Sequence, residues 1–244
     1  YADFFLRANA NNGGFFSTSR AQGEVEEEAH RAAEDLLNAP KETVKFGANM
    51  STLNFQLSRS LARELQAGDE IVVTQLVHDA NYSPWRLLAE DHGLVLKVIR
   101  LNPADGTLDM EHYASLLGPR TKIVAVGMSS NALGTINPTK KMVEAAHAVG
   151  AITVLDAVCS APHYPIDVQA LDTDFLNFLD EARQGLASDL YKHNDHDALL
   201  AEVLLQAVGD PEHPAEAADV LSDEQHAAVG LHRPSQSDVE GLNH

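Results

Sequence analysis

Ile71-Val72-Val73-Thr74, Lys122-Ile123-Val124-Ala125-Val126 and Ala151-Ile152-Thr153-Val154-Leu155 are three short apolar runs separated by helix-like segments. Runs of this length, rich in β-branched residues, suit strands that are buried on both faces. Their alternation with helical patterns predicts an α/β fold with a mostly parallel sheet between two helix layers. Each run is soon followed by a polar residue, in turn His78, Asn131 and Asp156. Ligands of open parallel sheets bind beyond the carboxyl ends of the strands, so these three residues are expected to meet at one site. An imidazole, a carboxamide and a carboxylate together suit a flat, anionic ring that contains nitrogen.

Composition bounds the rest. With 244 residues, 44% of them hydrophobic and 22% charged, the chain has enough apolar material for one substantial core or two small ones. A formal net charge of -19 argues against nucleic acid as a partner, because phosphate binding needs a basic footprint. No apolar stretch approaches the roughly 20 residues of a membrane helix, and no charged-then-apolar leader is evident. The expected location is the cytoplasm, with no membrane partner. The single cysteine, Cys159, excludes an internal disulfide framework and fits a reducing compartment.

Upstream, Tyr1 to Ala10 reads as the later part of a helix, and because the chain starts with Tyr1, preceding residues are expected. Asn9 to Gly14 breaks the pattern as a loop, since paired glycines weaken a helix and permit positive φ. From Ser19 to Asn38 runs an acidic amphipathic helix whose expected apolar face is Val25, Ala29, Ala32, Ala33, Leu36 and Leu37. Phe46-Gly47-Ala48-Asn49-Met50-Ser51-Thr52 then leads from a strand-like segment into a helix ending near Gln66. Free N–H groups at such a start favour an anion such as phosphate. The alternative is that Asn49 or Ser51 simply caps the helix.

After the first clear strand, His78 lies in Val77-His78-Asp79-Ala80-Asn81-Tyr82-Ser83-Pro84-Trp85. A lone histidine there is commonly a hydrogen-bonded structural residue. Caps by Asp79 and Asn81 on the helix carrying Trp85, Leu87 and Leu88 would instead fix it at the corner, facing the site. A strand over Leu94–Leu101, a turn over Asn102–Gly106 and a helix from Asp109 come next. Asn131 either donates an N–H to a ring oxygen or holds the loop from Ser129 to Pro138 by an Asx-type turn. Asp156 ends a buried strand, where an acid is costly without a partner, and a protonated ring nitrogen is such a partner.

Several of these segments, taken in order, resemble the cysteine desulfurase-like branch of the class V aminotransferases, which are fold-type I pyridoxal phosphate enzymes. The likeness rests on Asn9-Ala10-Asn11-Asn12-Gly13-Gly14, the stretch from Phe46 to Ser51, that from Val77 to Trp85, and Ser130-Asn131-Ala132-Leu133-Gly134-Thr135-Ile136-Asn137. Asp156-Ala157-Val158 and the run from Ala161 to Leu171 complete it, over residues 1–176. The resemblance implies a three-layer aminotransferase-type large domain, pyridoxal 5'-phosphate as cofactor, an amino-acid substrate and a homodimer. It further implies that His78 stacks on the cofactor ring, that Asn131 hydrogen-bonds its phenolic oxygen, and that Asp156 pairs with its ring nitrogen. The stretch from Asn49 to Thr52 falls to the phosphate, with Ser51 and Thr52 as side-chain candidates. No metal is implied.

Two departures from the pattern stand out. Where relatives carry histidine and tyrosine after Asp156-Ala157-Val158, this chain has Cys159 and Ser160. Cys159 is read as a small buried residue, since Pro162 opposes a helix that would bring it to His163. It does not match the position of the sulfur-accepting cysteine of desulfurases. The family's cofactor-binding lysine and its small C-terminal domain are also not recognisable. Residues 177–244 form instead an acidic, histidine-rich tail with three basic residues, Arg183, Lys192 and Arg233.

That tail is expected to be helix and coil, with Leu199 to Val208 helical. Lys192 faintly echoes the family's lysine context. His193, Asp195, His196 and Asp197 have the chemistry of a divalent-metal cluster, but such a run more often faces water. A truncation, a frame shift or an assembly join near residue 177 would explain the change, leaving the large domain C-terminally incomplete. Two functions are therefore weighed. One is a pyridoxal phosphate enzyme acting on an amino acid, impaired by the missing lysine. The other is a non-catalytic remnant that at most binds cofactor or a protein partner.

Overall fold

The structure, a computed structural model, describes residues 2–179 and 202–206. Helices α1 (Ala2–Arg7) and α2 (Ser17–Leu37) precede strand β1 (Val44–Gly47) and helix α3 (Met50–Leu61). Then β2 (Glu70–Thr74), α4 (Ser83–His92), β3 (Val95–Ile99), α5 (Met110–Leu116), β4 (Thr121–Gly127), α6 (Thr139–His147) and β5 (Ile152–Asp156) alternate. The short α7 (Val168–Leu171), β6 (Phe175–Leu179) and β7 (Glu202–Gln206) complete the described elements.

All seven strands form one sheet in the order β1-β7-β6-β5-β4-β2-β3. The five from β3 to β6 pair in parallel, while β7 is antiparallel to both β6 and β1. From β2 the chain first steps out to the edge strand β3 and then returns to the other side for β4. The order therefore reverses between β2 and β4, and that reversal opens a crevice at their carboxyl ends.

Successive strand residues point to opposite faces, and the core divides accordingly. Ile71, Val73, Ile123, Ala125, Val154 and Phe175 meet Leu53, Leu57 and Leu61 of α3 and Trp85 and Leu88 of α4. Val72, Val124, Val126 and Leu155 meet Leu37 of α2, Tyr113 of α5, Met142 and Ala146 of α6 and Val168 of α7. Each fully buried side chain of this size contributes roughly 1.5–3 kcal/mol, and the two sets make the three-layer arrangement expected from the apolar runs.

At the opposite end of the strands, Glu70 is buried, with Lys97 Nζ donating to its carboxylate at 2.6 Å and Arg120 and Thr121 adding contacts at 3.3 and 3.2 Å. The Lys97 ammonium is the chief reason that this carboxyl titrates below its ordinary value.

Two expectations are corrected. Along α2 only Ala33 and Leu37 of the anticipated apolar face are buried, while Val25, Ala29, Ala32 and Leu36 are exposed. The helix meets the sheet at its C-terminal end alone, so most of its periodic stripe has nothing to pack on. The second correction is Leu199 to Val208, expected to be helical, which contains β7. A slot open to backbone pairing on both sides, Val44↔Leu205 and Leu176↔Leu205, overrides a weak helical pattern. Lys192 and the cluster from His193 to Asp197 lie outside the described residues.

Candidate active site

The crevice at the reversal point holds a cavity of about 320 Å³, of the size that small-molecule sites occupy. Four segments line it. The start of α3 contributes Met50 and Ser51, and the turn after β2 contributes Val77, His78 and Ala80. The end of β4 and its loop give Gly127, Ser129 and Asn131, and the end of β5 gives Asp156, Val158 and Cys159. His78, Asn131, Asp156 and Ser51 are thus brought together from positions spread over more than a hundred residues.

Asp156 ends β5 with 9% of its surface exposed. Burial raises its pKa to about 6, against the N–H of Val158, which donates to Oδ1 at 3.0 Å, and the pull of nearby His78. A carboxyl so placed gains from a cationic N–H donor in the cavity, because the donor offsets the cost of keeping it ionised.

His78 reaches the site by a route different from the one expected. Asp79 accepts from the Ser83 hydroxyl at 2.7 Å, and Asn81 accepts from the Trp85 indole at 3.0 Å, so neither caps α4. The imidazole itself caps the one-turn 3-10 helix over Asp79–Asn81, with Nδ1 accepting from the Ala80 N–H at 3.1 Å. An accepting Nδ1 leaves Nε2 as the protonated nitrogen of the neutral ring.

The β4 loop is held by Ser130, not by an Asx turn. Ser130 Oγ accepts from the N–H groups of Ala132 and Leu133, and the Ser130 N–H donates to the Thr135 carbonyl at 2.9 Å. Asn137 ties the loop base by donating to the Gly127 carbonyl at 2.8 Å. Asn131 is exposed between these ties and lines the cavity.

At the start of α3, the Asn49 carboxamide accepts from the Thr52 N–H at 2.8 Å and so caps the helix. The remaining first-turn N–H groups have no partner within the helix, and Met50 and Ser51 of this turn, at the positive end of its dipole, line the cavity. Thr52 is exposed and is not among the lining residues.

Sequence reasoning missed most of the apolar wall. Met50, Val77, Ala80 and Val158 carry no chemical signature, and only the fold brings them to the cavity. Cys159 is half-buried on the wall, more open than expected of it. Ser160 lies fully buried behind it, its hydroxyl 2.6 Å from that of Ser129. The set of buried acid, oriented imidazole, carboxamide and open helix start fits a planar ring with a protonated nitrogen at one end and an anionic group at another.

A model of the aminotransferase class-V family matches residues 1–179. A probable cysteine desulfurase of Synechocystis sp. is 37% identical over 171 residues, covering 69% of this chain and 40% of that protein. The structure of apo cysteine desulfurase from Thermococcus onnurineus superposes with a TM-score of 0.72 at 28% identity, covering 84% of this chain and 48% of that one. A C-DES mutant with glycine covalently linked to its PLP cofactor shares the fold, with a TM-score of 0.68 at 17% identity, covering 84% of this chain and 51% of that one. The chain spans about half the length of these relatives or somewhat less.

Proposed function

This chain belongs to the class-V aminotransferase family, in its cysteine desulfurase-like branch, and from that premise we propose that its cavity binds pyridoxal 5'-phosphate for a reaction on an amino acid. The observation that carries the reading is the buried, high-pKa carboxyl of Asp156 at the carboxyl end of a central parallel strand, facing the same cavity as His78 and Asn131. Bound there, the cofactor supplies an electron sink to the amino-acid substrate, provided that its ring nitrogen stays protonated. Asp156 holds that proton in place. His78 offers a flat ring with a fixed tautomer as a stacking surface, and Asn131 donates an amide N–H toward a ring oxygen. The first turn of α3 and Ser51 receive the phosphate, with Thr52 as a flanking candidate. Residues 1–176 act in this reading as a partial large domain, whose sheet also takes in β7 and residues 177–179 of β6 from the acidic segment 177–244.

A cytoplasmic homodimer belongs to the same proposal. Its support is one cysteine in 244 residues, and apolar side chains near the N-terminus that stand in solvent, Leu6 at 85% and Phe15 at 95% exposed. Such residues suit a contact with a second copy.

A second reading is favoured by one fact. Among the described residues that line the cavity there is no lysine to carry the covalent link. The chain would then hold the cofactor without an anchor and act at most as a binding protein. Incubation with pyridoxal phosphate, borohydride reduction and peptide mapping separate the two. Stoichiometric labelling of one lysine, Lys192 being the candidate in the tail, supports the enzyme. Saturable binding without site-specific labelling supports the binding protein, and no binding at all refutes both.

A further inference from the structure

Beneath the cavity runs a chain of buried amides that none of the roles above uses. Asn54, Asn81, Trp85 and Asn177 are each 0% exposed. Asn177 Nδ2 donates to Asn54 Oδ1 at 2.7 Å, and Asn54 Nδ2 donates to Asn81 Oδ1 at 3.1 Å and to the Ala80 carbonyl at 3.0 Å. Trp85 Nε1 donates to Asn81 Oδ1 at 3.0 Å.

The direction of every bond is dictated by chemistry. An indole N–H can only donate, so the Asn81 atom facing Trp85 must be oxygen. The Asn54 atom facing both that oxygen and the Ala80 carbonyl must therefore be the amide nitrogen. Asn54 turns its oxygen to Asn177, which must offer nitrogen. The order runs without a choice from α4 through the His78 turn and α3 to β6. Among the described residues it leaves two buried ends without partners, Asn81 Nδ2 and Asn177 Oδ1. A buried array that leaves two polar ends unmet is costly to keep, which points to a use beyond packing.

Asn54 stands at the centre. Its carboxamide holds the carbonyl of Ala80, and the N–H of the same residue donates to His78 Nδ1. Through Asn177 it is tied to the strand beside Asp156. We propose that Asn54 is a positioning residue that clamps Ala80, and through it fixes the tautomer and orientation of His78 relative to Asp156. The consequence for cofactor rests on the reading of the cavity given above, whereas the effect on His78 does not. With the clamp removed, the Ala80 peptide is released from α3, its hydrogen bond to Nδ1 loosens, and the imidazole samples both tautomers.

The test is nitrogen NMR of the ¹⁵N-imidazole-labelled full chain above neutral pH, with the His78 signals identified by their loss in His78→Gln. The wild-type protein should show an accepting Nδ1 and a protonated Nε2. In Asn54→Asp, which keeps the shape and the acceptor toward Asn177 but loses both donated bonds, the two signals should move toward the averaged values of free imidazole. Asn54→Ala should do the same, so the test survives if either variant fails to fold. Leu57→Ala, a core truncation on the same helix that makes none of these bonds, should lower the melting temperature and leave the His78 signals in place. Titration with pyridoxal phosphate should then give roughly tenfold weaker binding for Asn54→Asp than for Leu57→Ala, the loss expected for one buried hydrogen bond with its partner stranded. Wild-type His78 signals in a folded Asn54 variant, or an equal shift in Leu57→Ala, overturn the clamp. A wild-type chain with the expected His78 signals that takes up no pyridoxal phosphate counts against the cavity reading and leaves the clamp standing.

Discussion

Asp156 and Asn177 are register partners on β5 and β6, and the N–H of Ala157, just after Asp156, donates to the Asn177 carbonyl at 2.7 Å. Parallel partners point to the same face, so the acid that lines the cavity and the amide that begins the buried chain stand side by side on the α3 side of the sheet. The pairing joins the site to its support across two neighbouring strands, and it makes the acid's surroundings testable.

The folded-state pKa of Asp156 lies at about 6, above its ordinary value of 3.8. The stability it allows is intact below that ordinary value and is lost as pH rises through about 6. In cofactor-free protein, Asp156→Asn should therefore raise stability by about 3 kcal/mol near pH 8 and by less than about 1 kcal/mol near pH 4. Urea unfolding at both pH values measures this. A gain of equal size at the two would show that the carboxyl is not penalised by burial.

Glu70 behaves in the opposite sense. Its pKa is lowered, so the stability from its ion pair is present above 4.5 and lost as pH falls through the lowered value. Lys97→Met strands the buried carboxylate and should cost roughly 3 kcal/mol at neutral pH, with the gap to wild type closing in acid. A pH-independent loss would mean that Lys97 matters for packing alone.

Replacing His78 by alanine should separate binding from folding. The side chain is exposed, so His78→Ala should cost at most about 1 kcal/mol of stability through the lost cap. Binding of pyridoxal phosphate should weaken roughly tenfold as a stacking surface disappears. Unchanged affinity by fluorescence titration would remove His78 from the site.

Gly47 ends β1 against Leu53 of α3. A Cβ built on it falls inside the van der Waals shell of the Leu53 side chain, a contact that forces this buried side chain, or the helix or strand behind it, to move. Gly47→Ala should cost about 1–3 kcal/mol by overpacking and, by shifting the start of α3, weaken phosphate-dependent binding more than binding of pyridoxal without phosphate. Equal losses for both ligands would show that the helix start plays no part in holding the anion.

The fold was legible in the sequence to the extent that local pattern controls it. Ile71–Thr74, Lys122–Val126 and Ala151–Leu155 are buried on both faces, so their apolar runs and the helices between them announced parallel strands. Strand ends of an open sheet are one short connection from the crevice, and for that reason His78, Asn131 and Asp156 could be grouped as one site before any geometry. The caps of α3 and α5 by Asn49 and Asp109 are equally local, each made to an N–H three residues on. Tertiary structure decided the rest. The face that α2 buries depends on how far it overlaps the sheet, and β7 exists because a slot between β1 and β6 accepts it. The roles of Asn54, Asn81 and Asn177 depend on partners 27 and 123 residues away. An amide carries no periodic signal, and its bonds are directed by whichever donors and acceptors the finished fold places against it.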